Sequence, residues 1–354
     1  MVFVGTRTLA ALMDSRPAPP FLCSVIVDWE AMEKIWHHTF YSGLRVAPED
    51  TSVLMTEHPI GPKEPRERMT QTLFETFNVA AFYVASSSVL ALYAAGLTTG
   101  LVLDFGASIS AVPVYEGYLV PCAMQTLGIG GDVVDAALMT LLAKRGYAFA
   151  TRAETSIVRQ IKETHCTVAV NEADPQSSDD LAVHKSNAAF DVSSAHRRLA
   201  FARALRHWVD ADANVVDQIG DHLDAYTTYE LPDGNSVYMG HEGVEASEVL
   251  FDFSLLGPNE QTLIEQRDEA VGRYVEVNGT TRGLHSLVYE AIKRSDCDIQ
   301  RDLWRNIVLN GGGTLLPGFP ARLEKELKKM AGSSGAPDVP QILNVSAPLE
   351  RKCA

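Results

Sequence analysis

Asp104 is the residue whose neighbours point most directly to chemistry. It ends the apolar run Gly100 to Leu103 and is followed by Phe105, Gly106, Ala107 and Ser108. Ser110 to Tyr115 then runs back as a second apolar strand, and Glu116-Gly117 marks its far turn. The pattern predicts a β-hairpin whose turn carries one carboxylate beside small residues. Small residues let backbone N–H groups approach an anionic ligand, and a carboxylate there can hold a divalent cation or its water shell. The same spacing also describes a hairpin with no ligand at all.

Two glycine stretches offer related chemistry. Gly128-Ile129-Gly130-Gly131 precedes the apolar helix predicted from Val133 to Lys144, where a helix N-terminus can hold an anion; a tight turn is the other reading. Asn310-Gly311-Gly312-Gly313-Thr314 lies between a predicted buried strand, Ile307 to Leu309, and a helix over Ala321 to Met330. Three glycines permit close backbone approach of a ligand or of another segment. Lys162-Glu163, on a helix predicted from Glu154 to His165, adds a cation beside a carboxylate.

The elements that must position these residues are legible in part. Cys23 to Val27 reads as a buried strand after the stiff connector Pro17 to Pro20, and Asp28 as the N-cap of a helix from Trp29 to Phe40. Ser52 to Thr56 is expected to be a buried strand. Pro65 to Asn78 is an amphipathic helix with Met69, Leu73 and Phe77 at helical spacing. A strand over Ala81 to Ala85 then leads into a helix over Ser86 to Ala95, closed by Gly96. Tyr229 to Gly234 followed by Ser236 to Met239 is a strand–turn–strand signal. Asn171 to Ala189 reads as an exposed polar loop, and Ala195 to Leu223 as a helix with a basic first half and an acidic second half.

The 354 residues suffice for one large or two medium domains, and 46% apolar with 21% charged residues describes a globular chain. Thirty basic against 45 acidic residues leave a net charge of −15, which argues against sequence-independent nucleic-acid binding and against docking on anionic lipid. The five cysteines lack C-x-x-C spacing and read as reduced thiols of a cytosolic or nuclear protein. Leu9 to Met13 is too short for a secretory core, and no run approaches the ~18 apolar residues of a membrane span. The expectation is a soluble intracellular protein.

Longer stretches carry a family resemblance. Trp29 to Tyr41 (WEAMEKIWHHTFY), Leu44 to Glu49 (LRVAPE) and Arg68 to Asn78 (RMTQTLFETFN) resemble actin nearly word for word. So do Tyr83-Val84-Ala85, Leu92 to Gly96, Tyr115 to Tyr118 and Arg145-Gly146-Tyr147. The match is dense from about Val4 to Asn171 and resumes in patches from Tyr229 to Lys352. The chain is identified as a divergent member of the actin family. The resemblance implies an actin-like ATPase fold of the ribonuclease H-like, Hsp70 and hexokinase type: two α/β domains around a cleft holding ATP with Mg or Ca. It divides the chain into a remnant of the small second subdomain (1–19), an incomplete first subdomain (20–95), a third (96–130 with 258–354) and a fourth (131–257). Stretches around Ala195 to Leu223 and Glu260 to Arg282 would be insertions.

By resemblance, Asp104, Gly106, Ala107 and Ser108 form the second phosphate hairpin, with Asp104 toward the metal. Gly130 and Gly131 line the cleft, Lys162 and Glu163 meet ribose and base, Gly311, Gly312, Gly313 and Thr314 flank the adenosine, and Lys352 reaches the adenine side. Departures are equally informative. Ser87 stands where the family has its water-positioning glutamine, Ala107 replaces an aspartate, Ser108 replaces a glycine, and a one-residue deletion removes a histidine that orients water. The chain is expected to lack the family's opening strands, with the first phosphate hairpin, and its last helices. Each lost charge-assisted contact is worth roughly 1.5–3 kcal/mol.

The resulting expectation is an actin-like cytoskeletal or scaffolding protein, cytoplasmic, with ATPase activity absent or very weak. It would act through contacts with actin or actin-binding proteins and need a partner over its incomplete sheet. Two alternatives are an ATP-binding actin that hydrolyses slowly and an actin-related subunit of a nuclear chromatin-remodelling complex.

Overall fold

Apolar residues alternate along Gly100–Phe105 (β5) so that Leu101, Leu103 and Phe105 enter one core while Val102 enters another, and all of them are fully buried. A strand covered on both faces must read as a near-continuous apolar run, and β5 does. A computed structural model places it at the centre of a six-stranded sheet and describes residues 21–22, 25–26, 28–59, 63–127, 129–149, 151–170, 227–231, 234, 236–255, 283–334 and 342–344. The expected polar loop at 171–189, both insertions, Gly128 and Lys352 lie outside the described residues.

In chain order the earlier strands are Phe21–Leu22 (β1), Val25–Ile26 (β2), Ser52–Glu57 (β3) and Ala81–Ser86 (β4). After β5 come Ile109–Tyr115 (β6), Tyr118–Leu119 (β7), Gln125–Leu127 (β8), Thr227–Glu230 (β9), Ser236–Met239 (β10), Ile307–Asn310 (β11) and Ile342–Asn344 (β12). The central sheet runs β12-β11-β5-β6-β7, with β8 also paired to β6. β11 is parallel to β5 and β12, whereas β5 and β6 form the expected antiparallel hairpin, in register from Gly100 opposite Val114 to Phe105 opposite Ile109.

The helices are Trp29–His38 (α1), Lys63–Glu75 (α2), Ser87–Ala94 (α3), Gly131–Lys144 (α4), Arg152–His165 (α5), Glu242–Glu248 (α6), Leu284–Arg294 (α7), Cys297–Arg305 (α8) and Phe319–Ser334 (α9). One face of the sheet packs on residues of α4 to α9, among them Leu138, Ile161, Leu287 and the stripe Phe319, Leu323, Leu327. The other face receives Ala91 and Leu92 of α3. Local signals explain several boundaries. Asp28 accepts a hydrogen bond from the Ala31 amide at 2.9 Å and starts α1. Thr151 and Glu154 form a reciprocal capping box at the head of α5.

A smaller packing unit precedes the sheet. β3, α2 and β4 form a parallel βαβ unit, and with α1 it encloses Trp36, Phe40, Met69, Leu73, Phe77 and Val79. Two expectations need adjustment, at the end of α1 and in the burial of β3. α1 ends at His38 and continues as a wider π-type turn, Thr39–Leu44, rather than running as one helix to Phe40. Within the expected strand Cys23 to Val27, Val25–Ile26 is a strand paired with Phe21–Leu22; residues 23, 24 and 27 lie outside the described residues. β3 is not buried: Ser52, Leu54 and Thr56 are exposed while Val53 and Met55 face the core, because α1 and α2 cover one face of the β3–β4 pair.

Candidate functional site

The two parallel strand pairs bring their C-terminal ends to one place. Glu57 lies opposite Ser86 in the β3–β4 register, so His58 and Ser87 leave that pair side by side. Asp104 lies opposite Asn310 in the β5–β11 register. Carboxyl ends of parallel strands are where open α/β sheets present functional groups, and here two sets meet. The Asn310 amide donates to Asp104 Oδ1 at 3.1 Å, and Ser87 and His58 stand close enough to act on the same carboxylate. Burial pushes the Asp104 carboxyl above its ordinary range, against the opposing pull of His58, Asn310 and Ser87.

Beyond Asp104 the turn closes on itself. The Gly106 amide donates to the Ser108 carbonyl at 3.1 Å, and the Gly106 carbonyl accepts from the Gly131 amide at 3.0 Å. Thus the hairpin tip is stitched to the head of α4. A Cβ on Gly130 would overlap the Ala107 carbonyl and stand 2.9 Å from the Gly106 oxygen. Gly106 has open space around it, and both Gly106 and Ala107 are exposed, while Ser108 is buried.

Gly311 passes directly behind Phe105. Its φ is +94°, and a Cβ would stand 2.6 Å from the Phe105 carbonyl carbon. Gly313 lies over the Phe105 ring, where a Cβ would come within 2.5 Å. Thr314 is fully buried and donates from Oγ1 to the Gly311 carbonyl at 2.7 Å, which holds the tight turn; Gly312 lies between, half-buried.

Lys162 and Glu163 point to different environments. The Lys162 ammonium donates to the Gly131 carbonyl at 2.8 Å and pairs with Asp135 Oδ1 at 2.9 Å, while Arg159 lies 3.5 Å from Asp135 Oδ2. Asp135 is buried within α4, so Lys162 neutralises a carboxylate taken out of water. Glu163 is exposed as a residue. Partial burial of its carboxyl raises its pKa, while Lys162 and Arg159 oppose that rise.

The structure therefore gathers Asp104, Gly106, Ala107, Ser108, Gly130, Gly131, Lys162 and the Gly311 to Thr314 loop around one hairpin. His58, Asn310, Asp135 and Arg159 also belong to this constellation and were not singled out as site residues. Two signals were available: His58 directly follows a strand at its C-terminal end, and Asp135 is a lone carboxylate in the apolar helix VVDAALM.

A model of the Actin family matches residues 16–354. The chain belongs to the actin family. An "Actin-like protein" of Neurospora crassa is 35% identical over 353 residues, covering 99% of this chain and 76% of that relative. The fold is accordingly the actin-like ATPase fold, and no helix among the described residues is long and apolar enough to cross a membrane. Members of the actin family generally bind ATP with a divalent metal. In this actin-family chain the open approach at Gly106 and Ala107 and the exposed Glu163 fit a nucleotide. The spaces beside Gly130, Gly311 and Gly313 are filled by the hairpin itself. Among the described residues no group of three or more His, Cys, Asp or Glu side chains could hold a metal ion.

Proposed function

We propose that this actin-family chain is a cytoskeletal or scaffolding actin-like protein of the cytoplasm that works through contacts with actin or actin-binding proteins. In this reading ATP hydrolysis is absent or very slow. The observation that carries it is Ser87, the first residue of α3, which stands where the resemblance implies a water-positioning glutamine. Phosphoryl transfer depends on positioning and on electrostatic stabilisation, and a hydroxyl one carbon from the backbone is too short to orient an attacking water where a glutamine would.

Nucleotide binding without turnover is compatible with the same residues. Gly106, Ala107 and Ser108 would face the phosphates and the exposed Glu163 the ribose and base. When bound with ATP, the cation would supply charge neutralisation at the phosphates, with Asp104 as its protein neighbour. Support for action through contacts comes from the outer face of the β3–β4 pair, where Leu54 and Tyr83 are 55% and 68% exposed.

The deciding assay is Mg-dependent ATP hydrolysis by the purified chain beside Asp104→Ala. Equal, background-level release of phosphate is expected from both. Turnover that Asp104→Ala abolishes would overturn the reading.

A further inference from the structure

We propose that Lys162 is a positioning residue: through Gly131 it braces the tip of the β5–β6 hairpin, Gly106 with Ala107, in the shape that a nucleotide's phosphates would meet. This rests on the reading above, that phosphates would face that tip, and assigns Lys162 to the support of the tip rather than to ribose and base.

A series of hydrogen bonds runs from α5 to the tip. The Lys162 ammonium donates to the Gly131 carbonyl at 2.8 Å, and the Gly131 amide donates to the Gly106 carbonyl at 3.0 Å. The Gly106 amide in turn donates to the Ser108 carbonyl at 3.1 Å. Gly131 is therefore held through both of its peptide groups, by the tip on one side and by α5 on the other. It needs both. Gly130 and Gly131 open α4 with no capping side chain, and successive glycines have the widest backbone freedom a chain offers. A Cβ at Gly131 would stand 3.2 Å from the Lys162 nitrogen, so the ammonium closes directly on this residue.

The far end of the series is fixed. α5 starts at its capping box and buries Val158 and Ile161 in the core. Asp135, one turn along α4 from Gly131, pairs with Lys162 at 2.9 Å and keeps the ammonium over that first turn. Arg159 also approaches Asp135, at 3.5 Å, from a side chain half in solvent. Asp135 has both cations near it, while the bond to the Gly131 carbonyl comes from Lys162. On its outer side the tip has no packing to order it: Gly106 has open space around it, and Gly106 and Ala107 are exposed. Hydrogen bonds from behind must set its shape, and a tip already shaped binds an anion without a further ordering cost.

The test removes the buried anion and cation together. In the full chain, Asp135→Asn/Lys162→Met should melt within about 5 °C of the unmodified protein. Hydrogen–deuterium exchange then compares amides of Phe105 to Ser108 and Gly130 to Val133 with those of α7. Relative to α7, the tip should exchange at least about tenfold faster in the variant, as expected for loss of a hydrogen bond from a charged donor. An equal change at the tip and at α7 would overturn the brace and leave Lys162 as the counter-ion of Asp135 alone. Should the double variant not fold, Lys162→Met gives the same ratio. Arg159→Met, which disturbs Asp135 but not the Gly131 carbonyl, should leave the ratio within about threefold. A tenfold rise there would also overturn the proposal. ATP is the ligand probe: the double variant should bind it about tenfold more weakly than the unmodified chain, and equal affinities would overturn the link from brace to phosphates. Failure of the unmodified chain to bind ATP would sink the nucleotide reading, while the exchange ratio alone decides the brace.

Discussion

The glycine wall of the cleft, Gly130 with Gly311 to Thr314, and its carboxylate end, Asp104 with Ser87 and Asn310, differ in what keeps their residues in place. On the glycine wall, packing against the hairpin is sufficient reason. Gly130 and Gly311 press on the Ala107 and Phe105 backbone, and Gly313 lies on the Phe105 ring. Such glycines would be required whether or not a nucleotide ever enters. At the carboxylate end the neighbours of Asp104 are polar side chains, with the Asn310 amide at 3.1 Å and Ser87 standing where the resemblance implies a glutamine. The contrast teaches that surviving glycines in a nucleotide fold are weak testimony for a nucleotide, whereas polar side chains around the reacting groups are strong testimony about chemistry.

The largest effect that would break this comparison is at Gly311. Gly311→Ala places a methyl into the Phe105 carbonyl at a positive φ and should destabilise by about 3–5 kcal/mol in nucleotide-free buffer. Gly106→Ala, in open space at the hairpin tip, should cost less than about 1 kcal/mol. Chemical denaturation of both variants checks this, and equal costs would end the distinction between wall and tip.

Next is Lys162, which borders the glycine wall through its bond to the Gly131 carbonyl. Lys162→Met leaves buried Asp135 with Arg159 at 3.5 Å and should cost about 2–3 kcal/mol. An unchanged denaturation midpoint would mean that Lys162 is held for a ligand rather than for Asp135.

Asp104 sharpens the other side through pH. Burial raises its folded pKa above the ordinary 3.8, so the folded state favours the protonated carboxyl relative to the unfolded chain. The associated stability is fully present below 3.8 and is lost as pH rises through the raised folded value. In Asp104→Asn this part of the slope should vanish, as measured by melting midpoints across that window. The smallest effect is expected for Glu163→Gln. It should change stability by less than about 0.5 kcal/mol, while weakening any ATP-induced rise in midpoint.

Much of the scaffold was legible because local patterns and packing agree. The β5–β6 hairpin, α4 after Gly130-Gly131, the capped α5 and the Ile307 to Asn310 strand lie within a residue or two of their expected places. β3 was misread as buried because Val53, Leu54 and Met55 are all apolar, and sequence does not tell which face a neighbouring helix will cover. His58 and Asn310 were not recognised as site residues because each meets Asp104 only through strand register. Asp135 was passed over for a similar reason, its cation lying on a different helix.

By itself the sequence determined the family, the order of elements, and the residue types at the hairpin, since these depend on short-range propensity and on long colinear matches. Only the tertiary structure decided that the spaces beside the glycines are filled by the hairpin, that Lys162 pairs with Asp135, and that Asn310 meets Asp104. These are distances between segments far apart in the chain, and they are set by how the sheet and helices pack rather than by any local preference.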